Sequence, residues 1–494
     1  MSRTSRGLLA IGSACLLVTA VACAPEATDQ PWPQRPVVDL DYRVADDLSS
    51  VTGRERVVFT PDMRVCELVF RLWPNEPTAA RTGTSIVVTG ASVDGRPVAP
   101  RPSADAAAGS QGTLVELPLG RCVQADDAVT AVLDFRLTLG RDSGERWGYL
   151  PSREMAWFGN GFPLLPWVRG QGWARDAATV IPGETATSED FDLASLSVTA
   201  PSRLTVFGTG TRRAAESGRA PGTTIHHFAA DAVRDVLVTV GNLDVLERTV
   251  SGVQIRLATP KPGRNGDGNG NGNGDGEGEG EGEGNGNGKG TKVSPQRWME
   301  ELSDELRALQ HLLGPLPYRD LWVTVVPTIG DGVEFPSALL FGDLRRREVR
   351  SLVAHELGHQ WFYALVGNNQ ARDPWIDESF TTFAQALVVG QQDDYRLEDV
   401  PQGVVGHLGE PMEYWGRTGG YDNYVAGVYQ QGAAVLLEAR RRAGPHRFDR
   451  ALRDYVARSA HRVVGPRDVF AAFQDLPQVT DLLRQYGVRE GGNR

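Results

Sequence analysis

HELGHQWFYALVGNNQARDPWIDE, residues 355–378, is the stretch on which the reading of this chain turns. His355 and His359 stand four residues apart, so on a helix both imidazoles leave one face and can share a metal ion. Glu356, beside the first histidine, reaches a water at such a metal without having to ligate it. Glu378 follows His359 after eighteen intervening residues. That is enough to finish one helix, turn, and begin a second whose first turn returns a carboxylate. Three protein ligands with a fourth position left for water are the arrangement of a catalytic zinc ion and not of a structural one.

Taken alone, HExxH also arises by chance or as an ordinary surface pair on a helix. Its setting argues against that. LRRREVRSLVAHELGHQWFYALVG, residues 344–367, is amphipathic: Leu344, Val349, Leu352 and Val353 lead into the histidines, and Trp361, Phe362 and Leu365 extend the same stripe. Asp373-Pro374 breaks the chain before Trp375, and ESFTTFAQALVVG, residues 378–390, reads as the second helix.

A chain of 494 residues exceeds one hydrophobic core and predicts two or three domains. The formal charge of −11 argues against a nucleic-acid groove. Part of that charge is local: Asp267, Asp275, Glu277, Glu279, Glu281 and Glu283 lie in GDGNGNGNGDGEGEGEGEGNGNG. Such a run has no apolar side chains to offset its ordering entropy, so residues 263–291 read as a disordered Gly/Asn/Glu-rich insertion. A calcium-binding glycine–aspartate repeat is the competing reading, but the nonapeptide period is absent.

Residues 1–22 read as a signal peptide: Arg3 and Arg6 precede an apolar run from Leu8 to Ala22, short for a bilayer span. Ala20-Val21-Ala22-Cys23 resembles a bacterial lipoprotein cleavage site, with Cys23 as the lipidated first residue and residues 23–36 as a Pro-rich tether. Ala20 stands where Leu is commoner, so plain secretion is the alternative. The expected location is the outer face of the bacterial cell membrane, or the medium. Setting aside Cys15 and Cys23 leaves Cys66 and Cys122, which in an exported domain are expected to form a disulfide.

Residues 37–250 read as a β-rich domain: VVDLDYRV, RERVVFTP, CELVFRLWP, TSIVVTGASV, AVTAVLDFRLTL, DLASLSVTAP and RDVLVTVGNL alternate or run apolar between Gly, Pro and Asp. His226-His227 sits in one such strand and, with no acidic partner evident, reads as ordinary strand residues. The aromatic stretch 155–173 reads as a packed loop bridging the sheet and the next domain, with a carbohydrate platform as the alternative. Residues 251–494 turn helical, apart from a buried strand at LWVTVVPT and a second at GDGVEFPSALLFG, where Pro336 is tolerated at a sheet edge. NYVAGVYQQGAAVLLEARRRAG, FDRALRDYVARSA, RDVFAAFQDL and TDLLRQYG read as successive helices.

With HELGHQWF, the eighteen-residue spacing and WIDESF in view, the chain resembles the aminopeptidase N family of zinc metallopeptidases. The resemblance implies a β-rich saddle or sandwich domain followed by a thermolysin-like α/β catalytic domain with a helical C-terminal part, and one zinc ion. LDYRV, TGRERVVF and ELVFRLWPN are similar to the family's opening strands. Thermolysin itself is a poorer match, since its Asp four residues after the third ligand is here Thr382. The resemblance makes His355, His359 and Glu378 the zinc ligands and Glu356 the general base, which takes a proton from the attacking water and passes it to the leaving amine. It makes Tyr429, in VYQQGA, the stabiliser of the oxyanion, and Glu334, in GDGVEFP, the partner of the substrate's α-amine.

Departures from the family pattern are Phe335 after Glu334, Ser379 for a glycine after the third ligand, Gln385 for a glutamate that hydrogen-bonds a ligand histidine, and Gln431 for a lysine after the tyrosine. Arg494 lies about sixty-five residues past Tyr429, so the family's large C-terminal helical domain is expected to be missing. The implied function is release of N-terminal residues from peptides. The alternatives are a zinc endopeptidase, a non-peptide hydrolase, or a non-catalytic surface binding protein, the last disfavoured by the intact ligand set and base.

Overall fold

The apolar run DLWVTV forms the strand Asp320–Val325 at the middle of a five-stranded sheet. Its neighbours in order are Leu243–Val250, Val253–Pro260, Asp320–Val325, Ala338–Phe341 and Gly332–Phe335, with the last antiparallel at the edge. Side chains alternate between two cores. Leu321, Val323, Leu339 and Phe341 join a helical core, while Trp322, Ala338 and Leu340 join the core of the β-rich region. A strand buried on both faces has no polar side to show, which is why this run carries no clean alternation.

The computed structural model describes residues 30–102, 111–144, 146–178, 181, 187–262 and 293–492. The expected signal peptide, Cys23 and the glycine-rich insertion lie outside the described residues. No described helix is long and apolar enough to cross a membrane.

The β-rich region is built on a nine-stranded sheet in which Val37–Val44 pairs antiparallel with Ser50–Phe59 and parallel with Phe191–Pro201. A four-stranded sheet orders Thr205–Gly208, Leu237–Gly241, Met155–Gly159 and Trp147–Leu150. Cys66 and Cys122 form a disulfide across the pair Val65–Arg71 and Leu114–Val123. The aromatic stretch is core, not platform: Trp157, Phe158, Phe162 and Trp167 are at most 1% exposed.

Several elements differ from the sequence reading. The hairpin Leu243–Pro260 straddles the expected boundary at 250/251, and both of its strands belong to the catalytic sheet because Val253–Pro260 pairs parallel with Asp320–Val325. GDGVEFPSALLFG is a hairpin and not one strand: Ser337 takes φ 63°, and Pro336 sits in the turn. The helix bearing HExxH, Arg346–Gly358, stops with His359 as its C-cap and does not continue through Leu365. Tyr363 there adopts φ 117°; its N–H donates to the Val366 carbonyl and Val366 N–H donates to the Trp361 carbonyl, both at 2.9 Å, which closes a tight turn. The second helix runs Trp375–Val389, three residues earlier than ESFT suggests, and ends at Gly390 in the left-handed conformation. His227 has an acidic neighbour after all, since the short strand Glu216–Ser217 brings Glu216 within 3.5 Å of its Nε2.

Candidate active site

The two helices place three donors at one point. His355 Nε2 and His359 Nε2 are 3.2 Å apart, and Glu378 Oε2 lies 3.3 Å from the first and 3.4 Å from the second. A tetrahedral ion with bonds of about 2.0–2.1 Å sets its ligands roughly 3.3 Å from one another, so the spacing fits zinc. The electrostatics agree. Glu378 Oε2 is buried without a hydrogen-bond partner among the described residues. Burial disfavours a charged His359, yet the carboxylates of Glu378 and Glu334 raise its proton affinity well above the usual histidine range. Burial likewise opposes ionisation of Glu378, but His359 and His355 hold its carboxyl below the usual range. The cage calls for a cation. Glu378 also sits in the first turn of its helix, where the helix dipole favours a carboxylate.

The far nitrogens of both imidazoles are committed. His355 Nδ1 lies 3.0 Å from Gln385 Oε1, and His359 Nδ1 lies 3.0 Å from the Phe362 carbonyl. Each carbonyl fixes the tautomer that turns a lone pair on Nε2 toward the cage. Gln385 therefore stands where the sequence reading set it, and its amide nitrogen reaches Tyr395 Oη at 3.4 Å. Thr381 Oγ1, 3.3 Å from His359 Nδ1, is a second contact that sequence reasoning missed. Thr382 spends its hydroxyl locally, on the Glu378 carbonyl.

Glu356 points its carboxyl toward the edge strand. A Cβ on Gly332 would meet Glu356 Oε1 at 2.5 Å, so only glycine lets this strand pass the base. Glu356 is buried, and burial together with the nearby Glu334 raises its proton affinity well above the usual carboxylate range. Ligand atoms of Glu334, Glu356 and His359 lie within 4.8 Å of one another. Gln360 braces the hairpin that carries Glu334: its amide donates to the Phe335 carbonyl and accepts from Ser337 N–H, at 3.0 and 2.9 Å. A glutamine directly after HExxH was the available signal for that brace.

Behind Glu334 stand residues of the β-rich region. Arg146 Nη2 lies 3.5 Å from Glu334 Oε1, with its guanidinium 5.5 Å from the centroid of Phe335. Asn160, at φ 47°, is buried with no partner for its side-chain amide among the described residues. Tyr363 donates its hydroxyl to Asp235 Oδ2 at 3.1 Å. A non-glycine residue at φ 117° costs on the order of 1–3 kcal/mol. The buried bond to Asp235 helps to hold Tyr363 there. Nothing local in the sequence ties these residues to the site.

Tyr429 lies where two helical segments meet. Residues Val425–Gln430 form a π-helical turn between Gly420–Tyr424 and Gln431–Ala443, where the sequence predicted one unbroken helix. Such turns recur at functional sites. Tyr429 stacks on His355 with ring centroids 5.7 Å apart and planes at 16°. Ser379 donates to the Val428 carbonyl at 2.8 Å, tying the helix of Glu378 to the residue before Tyr429. Gln431 closes the turn by donating to the Gly427 carbonyl at 2.9 Å. All six residues singled out from sequence thus form one connected cluster.

The peptidase family M1 domain matches residues 336–409. Aminopeptidase N of Haemonchus contortus is 26% identical over 164 residues, 30% of this chain and 17% of that protein. Aminopeptidase M1-C of Oryza sativa subsp. japonica is 25% identical over 167 residues, 30% of this chain and 18% of that protein. The match therefore spans less than a fifth of these curated relatives. The crystal structure of an M1 zinc metallopeptidase from Deinococcus radiodurans superposes with a TM-score of 0.63 at 18% identity, covering 93% of this chain and 95% of that one. A mutant of the Deinococcus enzyme bound to a Tyr-Ser-Ala substrate gives 0.62 at 17% identity, covering 92% and 94%. A third neighbour, described as a two-domain M1 zinc metallopeptidase mutant bound to L-tryptophan, gives 0.63 at 17% identity, covering 94% and 96%. The fold is thus that of the M1 zinc metallopeptidases, and the segment carrying the ligand-bearing helices is similar to the peptidase family M1 domain and to aminopeptidase N.

Proposed function

We propose that this chain is a zinc aminopeptidase that releases N-terminal residues from peptides. The observation that carries the reading is the closeness of Glu334 to the base: Glu334, Glu356 and His359 offer ligand atoms within 4.8 Å of one another, and Glu334 is 3% exposed. In a peptide the α-amine and the carbonyl carbon of the same residue are roughly 2.5 Å apart, as bond lengths and angles require. A buried carboxylate this near the base, with Oε1 facing Arg146 and its second oxygen left over, suits the ammonium of a first residue.

His355, His359 and Glu378 would hold the zinc ion. When bound, the ion supplies Lewis-acid polarisation and makes water a nucleophile at neutral pH. Glu356 takes the proton of the attacking water and delivers it to the leaving amine. Its buried place beside the ligand set suits a group that must hold that proton between the two steps. Tyr429 donates its hydroxyl to the oxygen on which negative charge develops. Gln385, a neutral acceptor, orients His355 without the added basicity a carboxylate would lend it.

The test is product analysis on an unblocked peptide. Mass spectrometry should show single residues leaving in order from the N-terminus, with a chelator stopping the ladder and zinc restoring it. Internal fragments appearing first would overturn the reading. We also read the chain as an exported lipoprotein, supported by Arg3, Arg6, the run Leu8 to Ala22, and Cys23. Cys23→Ser should move the protein from the membrane fraction to the soluble one, and unchanged membrane retention would refute lipidation.

A further inference from the structure

The residue beside the amine anchor carries its own charge. Arg146 precedes the strand Trp147–Leu150 of the β-rich region, and its backbone is pinned when its carbonyl accepts from Gly159 N–H at 3.1 Å. Gly159 lacks a side chain where the Phe335 ring comes to rest: a Cβ there would sit 2.0 Å from that ring. The Phe335 ring therefore has Gly159 against it and the Arg146 guanidinium 5.5 Å from its centroid. The same guanidinium is 3.5 Å from Glu334 Oε1, and the Arg146 side chain remains 15% exposed. Asp331 and Asp235 also feel its charge. Arg146 is thus a largely desolvated cation next to the carboxylate proposed to anchor a substrate's first residue.

We infer that Arg146 is a specificity-determining residue that selects the charge of the first side chain, favouring peptides that begin with Asp or Glu over those that begin with Lys or Arg. Glu334 has two oxygens, and Oε1 faces Arg146, so an ammonium pairs with Oε2. An acidic first side chain then meets the guanidinium, while a basic one is repelled by it. At this range and in a site sheltered from water, one charge pair is enough for a tenfold or larger discrimination. Arginine suits the role better than lysine, because its planar head can lie against Phe335 while meeting a carboxylate edge-on.

The inference rests on the aminopeptidase reading, so the experiment separates the two. The kcat/KM of the zinc-loaded enzyme is measured on Glu-, Ala- and Lys-nitroanilides for the wild type, Arg146→Gln and Arg146→Lys, with zinc content and Tm recorded for each. The ratio of Glu to Ala substrate should fall at least tenfold in Arg146→Gln, the ratio of Lys to Ala should rise, and Arg146→Lys should recover most of both. The ratios are read, not the absolute rates, so a general loss of activity does not mimic the effect. Unchanged ratios in an Arg146→Gln enzyme that still requires a free amine would overturn this inference alone. A wild type that ignores free-amine substrates would overturn the aminopeptidase reading instead.

Discussion

The two ends of the cleft are built in opposite ways. The metal end takes His355, Glu356, His359, Glu378 and Gln385 from two consecutive helices, Arg346–Gly358 and Trp375–Val389. The amine end takes Arg146, Gly159, Asp235, Glu334 and Tyr363 from segments far apart in the chain, brought together where the edge hairpin packs on the β-rich core. Helical periodicity alone is enough to assemble the first. The second exists only once the two regions have packed together, so under the proposed function selectivity depends on their interface while metal binding does not.

That contrast predicts separable losses. The largest belongs to the metal end. His359→Ala should lose zinc, because two remaining ligands hold it poorly. Glu356→Gln should keep the metal and lose about 10³-fold or more in kcat. A Glu356→Gln enzyme with near-native turnover would break the mechanism.

At the amine end, Glu334→Ala should lower kcat/KM for free-amine substrates by about 10²–10³-fold with zinc content intact, since an anchored charge pair in a desolvated site is lost. Loss of zinc in that variant would show that the two ends are not independent.

A smaller effect tests the strap between the helix of Glu378 and the tyrosine. Ser379→Ala removes the bond to the Val428 carbonyl and should lower kcat by about tenfold, with KM little changed, through a misplaced Tyr429. An unaltered kcat would mean that the π-turn holds Tyr429 without help.

The smallest effect is one of stability, at the domain interface. Burial pushes the Asp235 carboxyl up to about 7, against the pull of Val236 N–H, Arg146 and the Tyr363 hydroxyl. An unfolded Asp titrates near about 4, so folding takes up a proton between those values. The stabilisation from this proton is full below about 4 and is lost as pH rises through about 7. The Tm of the wild type minus that of Asp235→Asn should therefore decline by a few degrees from pH 4 to pH 8. A difference that does not change with pH would place the Asp235 pKa elsewhere.

The sequence was most legible where geometry is local. The spacing of His355, His359 and Glu378 implied the cage, and the family resemblance set Gln385 against a ligand histidine, which proves to be His355. Alternating apolar strands were read for the same reason, whereas the Cys66–Cys122 pair, 56 residues apart, was read by setting aside the other two cysteines. What escaped were features set by tertiary context. The strained turn at Tyr363 ends a helix that periodicity would have continued, because its hydroxyl is held by Asp235 from 128 positions away. The π-turn at Val425–Gln430 interrupts a stretch that reads from sequence as one helix, and its Val428 carbonyl accepts a bond from Ser379 outside it. Arg146 carries no local sign of its role. Its importance comes from the absence of a side chain on Gly159, which lets Phe335 and Glu334 approach.

The most direct test of the central claim compares one peptide with and without an N-acetyl group on the wild-type, zinc-loaded enzyme. Acetylation removes the charge proposed to pair with Glu334 and leaves one of its buried oxygens, the one turned away from Arg146, without that ammonium. The account predicts that the free peptide is cleaved at least about a hundredfold faster, with only its first residue released. Equal rates for the two forms, or cleavage of the blocked peptide at an internal bond, would contradict it.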